Sequence, residues 1–308
     1  MGIEAIDARL VASAVAAGLK LDSACTLGRQ NLFCSFEELR SIVKESGLAP
    51  ADVTETPSVK GQRFADDLFR LLGVKEICSM DVSDYEDASI VHDLNAPIPP
   101  ELDQRFDLVY DGGTLEHVFN YPVGLKNAMR MVKEGGALMI ATPANSLCGH
   151  GFYQLSPELF FRALSPENGY RIKRIFMPRD GRLYQVRDPI EVHGRVMLMD
   201  GAPTFLYVHA ERIDASVEIF ARPPQQSDYA TAWTEAEEKK ESEPGANDSP
   251  VKAFLRRKMN GEQIEAVSRF LQPFRQRRAV KKAHSDAKLD NRNFYTPVNI
   301  TEGLAEKE

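Results

Sequence analysis

Two short apolar runs with a helix-period segment between them, Phe106–Tyr110 and Ala137–Ala141, constrain this chain more than any other feature. Phe106–Tyr110 alternates and ends in β-formers, and Asp111-Gly112-Gly113 breaks the run. Val123, Leu125, Ala128, Met129 and Val132 then recur at helical spacing. Gly135-Gly136 is expected to stop that helix. The nearly continuous apolar run behind it suits a strand buried on both faces of a parallel sheet. A strand, loop, helix, strand unit of this kind implies an α/β fold with a doubly wound, Rossmann-like sheet. Ligands of such sheets bind beyond the carboxyl ends of the strands, so residues 111–117 and 142–145 are expected to border one site.

The flanking chain can be read the same way. A short N-terminal helix is expected through about Ala17, then a strand at Leu21–Leu27 and a turn at Gly28-Arg29-Gln30. Ser35 is placed to cap a helix over Phe36–Glu45, with Glu37 and Glu38 in its first turn. A second helix at about Gln62–Leu72 ends at Gly73, and strands follow at Val74–Met80 and Ala88–His92. The link between those strands is too short for an ordinary helical crossover. Ser156-Pro157 starts another helix, running to about Leu164. Tyr170–Met177 and Thr204–Arg212 are expected to form an antiparallel hairpin at the edge of a mostly parallel sheet, with an extra strand or a lid in 178–199.

From Pro223 the character changes. Glu235–Pro250 reads as a linker and Gln263–Ala283 as a surface helix bent near Pro273. The expected division is an N-terminal helix over 1–20, a main domain over 21–222, and a linker with a helical, partly disordered C-terminal extension over 223–308. Residues after about Glu235 are then expected to be dispensable for the core.

Composition excludes some classes of function. No apolar run in the 308 residues approaches the roughly 20 needed to cross a bilayer. Glu4 and Asp7 stand where a signal peptide would be positive, so the first residues read as a docking helix and a cytoplasmic location is expected. A net charge of -7 argues against nucleic acid as a partner, although Lys252–Arg292 is basic and Glu235–Glu243 acidic. Cys25, Cys34, Cys78 and Cys148 lack C-x-x-C spacing and read as buried reduced thiols; no metal site is expected. Without a G-x-G-x-x-G after a strand, a dinucleotide-dependent oxidoreductase is disfavoured.

The central unit resembles the second half of the class I S-adenosylmethionine (SAM)-dependent methyltransferases, in Leu115-Glu116-His117-Val118 and in Lys133–Pro143. Over residues 20–235 the chain is also similar to a group of little-characterised bacterial methyltransferase-domain proteins with a degenerate glycine-rich loop. LGRQ, DVSDYE, HDLN, GGTLEHVFN and GHGFYQ-x-SPE carry that likeness. The resemblance implies SAM as cofactor, a small molecule as methyl acceptor, and specific site residues. Asp81 would hold the ribose hydroxyls, Asp93 and Leu94 the adenine edge, and Asp111, Gly112 and Gly113 would face the methionine portion. Gly28 and Arg29 would form the first loop. That loop departs from the family pattern in its single glycine, and Arg29 and Gln30 would crowd the methionine path unless the turn is reshaped. Arg29 could pair with the cofactor carboxylate or with a neighbouring acid.

His117 and His150 follow the fourth and fifth strands. Each could act as a general base on an acceptor, or His117 could cap a helix and His150 be structural. Phe119, Tyr121, Phe152 and Tyr153 would wall an acceptor pocket or belong to the core. The leading expectation is a SAM-dependent methyltransferase of small molecules, and its rival is a non-catalytic methyltransferase-fold binding or scaffold protein. A homodimer is compatible with either.

Overall fold

The computed structural model describes residues 2–229, apart from 60, 193, 199 and 200, together with 272 and 288–298. In chain order the elements are β1 (Gly2–Ile3), α1 (Ala5–Ala16), β2 (Ser23–Leu27), β3 (Asn31–Leu32), α2 (Phe36–Glu45), α3 (Asp66–Leu71), β4 (Glu76–Asp81) and β5 (Ile90–Val91). They continue with β6 (Phe106–Gly112), α4 (Tyr121–Met131), β7 (Val132–Asn145), α5 (Pro157–Ala163), β8 (Tyr170–Arg179), β9 (Arg182–Val186), β10 (Thr204–Arg212) and β11 (Tyr295–Val298). Nine of these strands form one sheet in the order β11-β9-β8-β10-β7-β6-β2-β4-β5.

From β5 to β7 every pairing is parallel. Read in chain order, this half runs third, second, first, fourth, fifth, so the order reverses between β2 and β6. In open sheets of this kind, ligands bind at the carboxyl ends of the strands where the order reverses. The other half is antiparallel throughout, so the sheet as a whole is mixed. The antiparallel strand is not at an edge: β10 lies between β7 and β8 and runs against both, and β9 and β11 extend the sheet beyond β8.

Side-chain alternation distributes the strands' apolar residues to two faces. Ala24, Leu108, Tyr110, Ala137 and Met139 pack under α1, α2 and α3. Cys25, Leu27, Val109, Leu138 and Ile140 pack on the other face with α4 and α5. The result is three layers with helices on both sides, as burial of both sheet faces requires. The Ser35 hydroxyl accepts from Glu38 N–H at 3.2 Å and starts α2 where expected.

Three expectations change. First, α4 ends at Met131, before the glycine pair, and its terminus is set from a distance: Arg212 donates to the carbonyls of Met129, Arg130 and Val132, and the Tyr170 hydroxyl donates to Met129 O at 2.6 Å. A buried guanidinium at a helix C-terminus supplies the donors the last carbonyls lack. Gly135, at φ +76°, sits instead where the pairing of β7 with β6 jumps between Val132 and Ala137.

Second, the C-terminal region is not wholly separate from the main domain. β11 pairs with β9, and Tyr295 is 1% exposed in the main core beside Phe294. The linker, the helix at 263–283 and most of the basic stretch lie outside the described residues. Third, Cys25, Cys34 and Cys78 are buried free thiols, but Cys148 is exposed. Among the described residues no helix is long and apolar enough to cross a membrane.

Candidate functional site

After β2 the backbone turns through Gly28, whose φ of +69° suits glycine and whose N–H donates to Met80 O at 2.6 Å. The chain does not enter a helix there. It runs into β3, which pairs in parallel with β1, and α2 begins only after Ser35. No helix N-terminus therefore stands at the end of β2 to meet an anionic group. Gln30, 1% exposed, folds back over the turn, its amide nitrogen donating to Leu27 O and Thr114 Oγ1. Its amide oxygen lies 2.5 Å from where a β-carbon on Gly112 would stand. Arg29 donates to Asp87 O at 2.7 Å, pairs with Asp66 at 3.6 Å and stacks on Phe64 at 4.4 Å. The salt bridge to a neighbouring acid, one of its two expected roles, is present.

The next two strand ends differ in how they use their carboxylates. Asp81 closes β4 half-buried, and its Oδ1 accepts from Val82 N–H at 2.7 Å. Asp93 is exposed and accepts both the N–H and the side-chain amide of Asn95, which hold its carboxyl below the usual range. Leu94 is buried, and the turn around it is tied to α4 by Asn127, which accepts from Ile98 N–H and donates to Leu94 O and Ala96 O.

At the end of β6 the polar groups converge. Asp111 is wholly buried, its Oδ1 accepting from Thr114 N–H at 2.8 Å and Leu115 N–H at 3.3 Å while Oδ2 has no donor. Gly113 adopts φ +95°, which lets the chain turn into the short 3-10 helix Leu115–His117. That turn buries Glu116 completely and leaves His117 exposed. Neither carboxylate oxygen of Glu116 has a hydrogen bond of good geometry, nor do the Thr142 and Tyr121 hydroxyls. Thr142 nevertheless lies close enough to ease the Glu116 charge. Burial raises the carboxyl pKa of both Asp111 and Glu116, and the charge of Asp111 raises Glu116 further, so the pair does not carry two full charges at neutral pH.

The loop after β7 is pinned over this turn. Phe152 N–H donates to Glu116 O at 2.9 Å, the Tyr153 hydroxyl donates to Phe119 O at 2.7 Å, and a β-carbon at Gly151 would stand 2.9 Å from Glu116 O. This brings the two histidines together, with ring centroids 5.3 Å apart and His150 Nε2 3.4 Å from Glu116 Oε1. Burial, then the neighbouring His150, lowers the pKa of His117. Phe119 and Phe152 meet edge to face beside them, both largely exposed, whereas Tyr121 belongs to the core.

The structure thus gathers Asp111, Gly112, Gly113, His117 and His150 around one strand end. Gly28 lies against the end of β4 that carries Asp81, Arg29 is engaged elsewhere, and Asp93 serves its own turn. Sequence reasoning did not assign a role to Glu116, although its place beside His117 in the LEHV motif was the available signal. A small hollow of about 30 Å³ between α1 and the sheet, lined by Leu10, Ala14, Met139 and Tyr207 among others, contains none of these residues.

No protein-family model matches the chain, and no curated protein does. Among solved structures, a branched-chain polyamine synthase mutein from Thermus thermophilus, in complex with N4-aminopropylspermidine and 5'-methylthioadenosine, is 16% identical with a TM-score of 0.36. That match covers 70% of this chain and 58% of the synthase, so the chain spans little more than half the synthase's length. A SAM-dependent methyltransferase from Mesorhizobium loti is also 16% identical with a TM-score of 0.36, covering 68% of this chain and 98% of that one. One from Thermotoga maritima is 16% identical with a TM-score of 0.30, covering 67% and 89%.

Proposed function

We propose that this chain is a SAM-dependent methyltransferase acting on a small-molecule acceptor. The observation that carries the reading is the convergence of Asp111, Gly112-Gly113, His117 and His150 beside the sheet's order reversal, with Asp81 at the end of the neighbouring β4. In this reading Asp81 holds the ribose hydroxyls, the turn at Asp93 and Leu94 borders the adenine, and Gly112-Gly113 leaves room for the backbone to approach the ligand. The ribose and adenine end fits the residues present. The methionine end fits only if Gln30 swings off Gly112.

SAM, when bound, supplies an electrophilic methyl group. The chain's part is to align the acceptor with it, exclude water and take a proton where the acceptor carries one. Phe119 and Phe152 give the acceptor an apolar contact, and His117 and His150 stand where a proton would leave.

Calorimetry with SAM and with S-adenosylhomocysteine tests this. Binding is expected, and Asp81→Ala should weaken it about tenfold or more, since a charge-assisted hydrogen bond contributes about 1.5–3 kcal/mol. No binding at millimolar ligand, or an unchanged Kd in the variant, overturns the cofactor assignment. If SAM binds but labelled SAM methylates nothing in metabolite extracts, the non-catalytic reading replaces this one, and Gln30 lying on Gly112 is the feature that favours it.

A further inference from the structure

We propose that Glu116, His117 and His150 form a binding site for a divalent transition-metal ion of the zinc class. Their ligand atoms all lie within 4.8 Å of one another. One edge of the site already has the required dimension: His150 Nε2 and Glu116 Oε1 are 3.4 Å apart, and tetrahedral bonds of about 2.0–2.1 Å place two ligand atoms about 3.3 Å apart. The remaining closure falls to the rings of His117 and His150, which are exposed and lie against one another with centroids 5.3 Å apart.

Glu116 supplies an independent reason. Its side chain is fully buried, faces His150, and neither of its oxygens has a hydrogen bond of good geometry. A buried carboxylate in that state either keeps a proton, as its raised pKa favours, or needs something positive to meet it. A cation held by the three side chains would satisfy it, with the Thr142 hydroxyl beside Glu116 as the outer polar group. Two imidazoles and one carboxylate make up a ligand set that zinc and iron sites use when positions are left open for water or a ligand oxygen.

The backbone is built to keep the set together. Glu116 and His117 are consecutive in one 3-10 turn, and the loop bearing His150 is fixed to that turn by Phe152 N–H at 2.9 Å. Gly151 permits the approach, because any side chain there would press on Glu116 O. Metal binding does not depend on the methyl-transfer reading. If both hold, a histidine engaged by the ion is no longer a free base, and the ion's open positions would face the acceptor.

The test uses the full, tag-free chain stripped with a chelator, without SAM. Zn²⁺ is titrated by calorimetry, and Co²⁺ is followed by its visible ligand-field absorption. One equivalent of either ion is expected per chain, with Zn²⁺ displacing Co²⁺. Glu116→Gln and His150→Ala should each lower affinity at least tenfold, while His92→Ala should not. Because His150 is exposed, its variant should fold normally even if Glu116→Gln melts early. Absence of stoichiometric Co²⁺ absorption, or an unchanged affinity in His150→Ala, overturns the proposal.

Discussion

The amide oxygen of Gln30 and the α-carbon of Gly112 are in such close register that a β-carbon on the glycine would come within 2.5 Å of that oxygen. The first loop thus covers the strand-end backbone that a glycine-rich loop would leave open. Gly112→Ala should displace Gln30 and strip Leu27 O and Thr114 Oγ1 of its amide. The expected cost is about 1–3 kcal/mol in urea unfolding. In a Gln30→Ala background the same change should cost about 1 kcal/mol less, and strictly additive effects would show that the two residues do not interact.

Asp7 makes stability depend on pH. Burial pushes its carboxyl up to about 6 from 3.8, against the hydrogen bond from the Tyr110 hydroxyl, which pulls it down. The folded chain therefore keeps a proton that the unfolded chain releases earlier. The stability this group contributes is complete below the unfolded value and is lost as pH rises through about 6, to a total of about 3 kcal/mol. Asp7→Asn cannot ionise, and its amide can still serve Glu4 N–H and the Tyr110 hydroxyl. Its stability relative to the natural chain should rise between pH 4 and pH 7. A difference that stays flat over that range would mean Asp7 titrates alike in both states.

Tyr295 ties the C-terminal region to the core, and its hydroxyl donates to Met197 O at 2.9 Å. Tyr295→Ala should cost about 3 kcal/mol or more, as loss of a large buried aromatic does. A chain ending at residue 229 loses β11 altogether and should melt earlier than the full chain. An unchanged melting temperature for that shortened chain would restore the view that everything after the main domain is dispensable.

Arg212→Met should destabilise by about 2–4 kcal/mol, because it leaves the last carbonyls of α4 without their buried donor. In this variant, amide hydrogen exchange should quicken in the last turn of α4 more than in the strands of the sheet. Uniform exchange rates would mean that Tyr170 suffices to hold the helix end.

In the proposed reading, where both histidines act on the acceptor side, His117→Gln and His150→Gln should each lower turnover on an identified acceptor by about a hundredfold while leaving SAM affinity nearly unchanged. Full turnover in both variants would leave alignment alone to account for catalysis.

Much of the fold was legible in the chain itself. The cap at Ser35, the alternation in Thr204–Arg212 and the apolar run at Ala137–Ala141 each act over a few neighbouring residues, so local patterns fix the elements, and nearly the bounds of α2 and β10, whereas β7 runs past its apolar run at both ends. The strand-end loops carrying Asp81, Asp111, His117 and His150 could be placed for the same reason, given a parallel sheet.

What tertiary structure decided was which distant groups meet. A glycine pair looks like the end of α4 in any local window, yet the helix ends where Arg212, some eighty positions on, reaches its carbonyls. The covering of Gly112 by Gln30, the burial of Glu116 beneath His150 and the return of Tyr295 to the sheet belong to the same class. Each depends on closing a long loop and on which surfaces remain to be buried once the sheet has formed, and neither quantity is written in the residues around the position it controls.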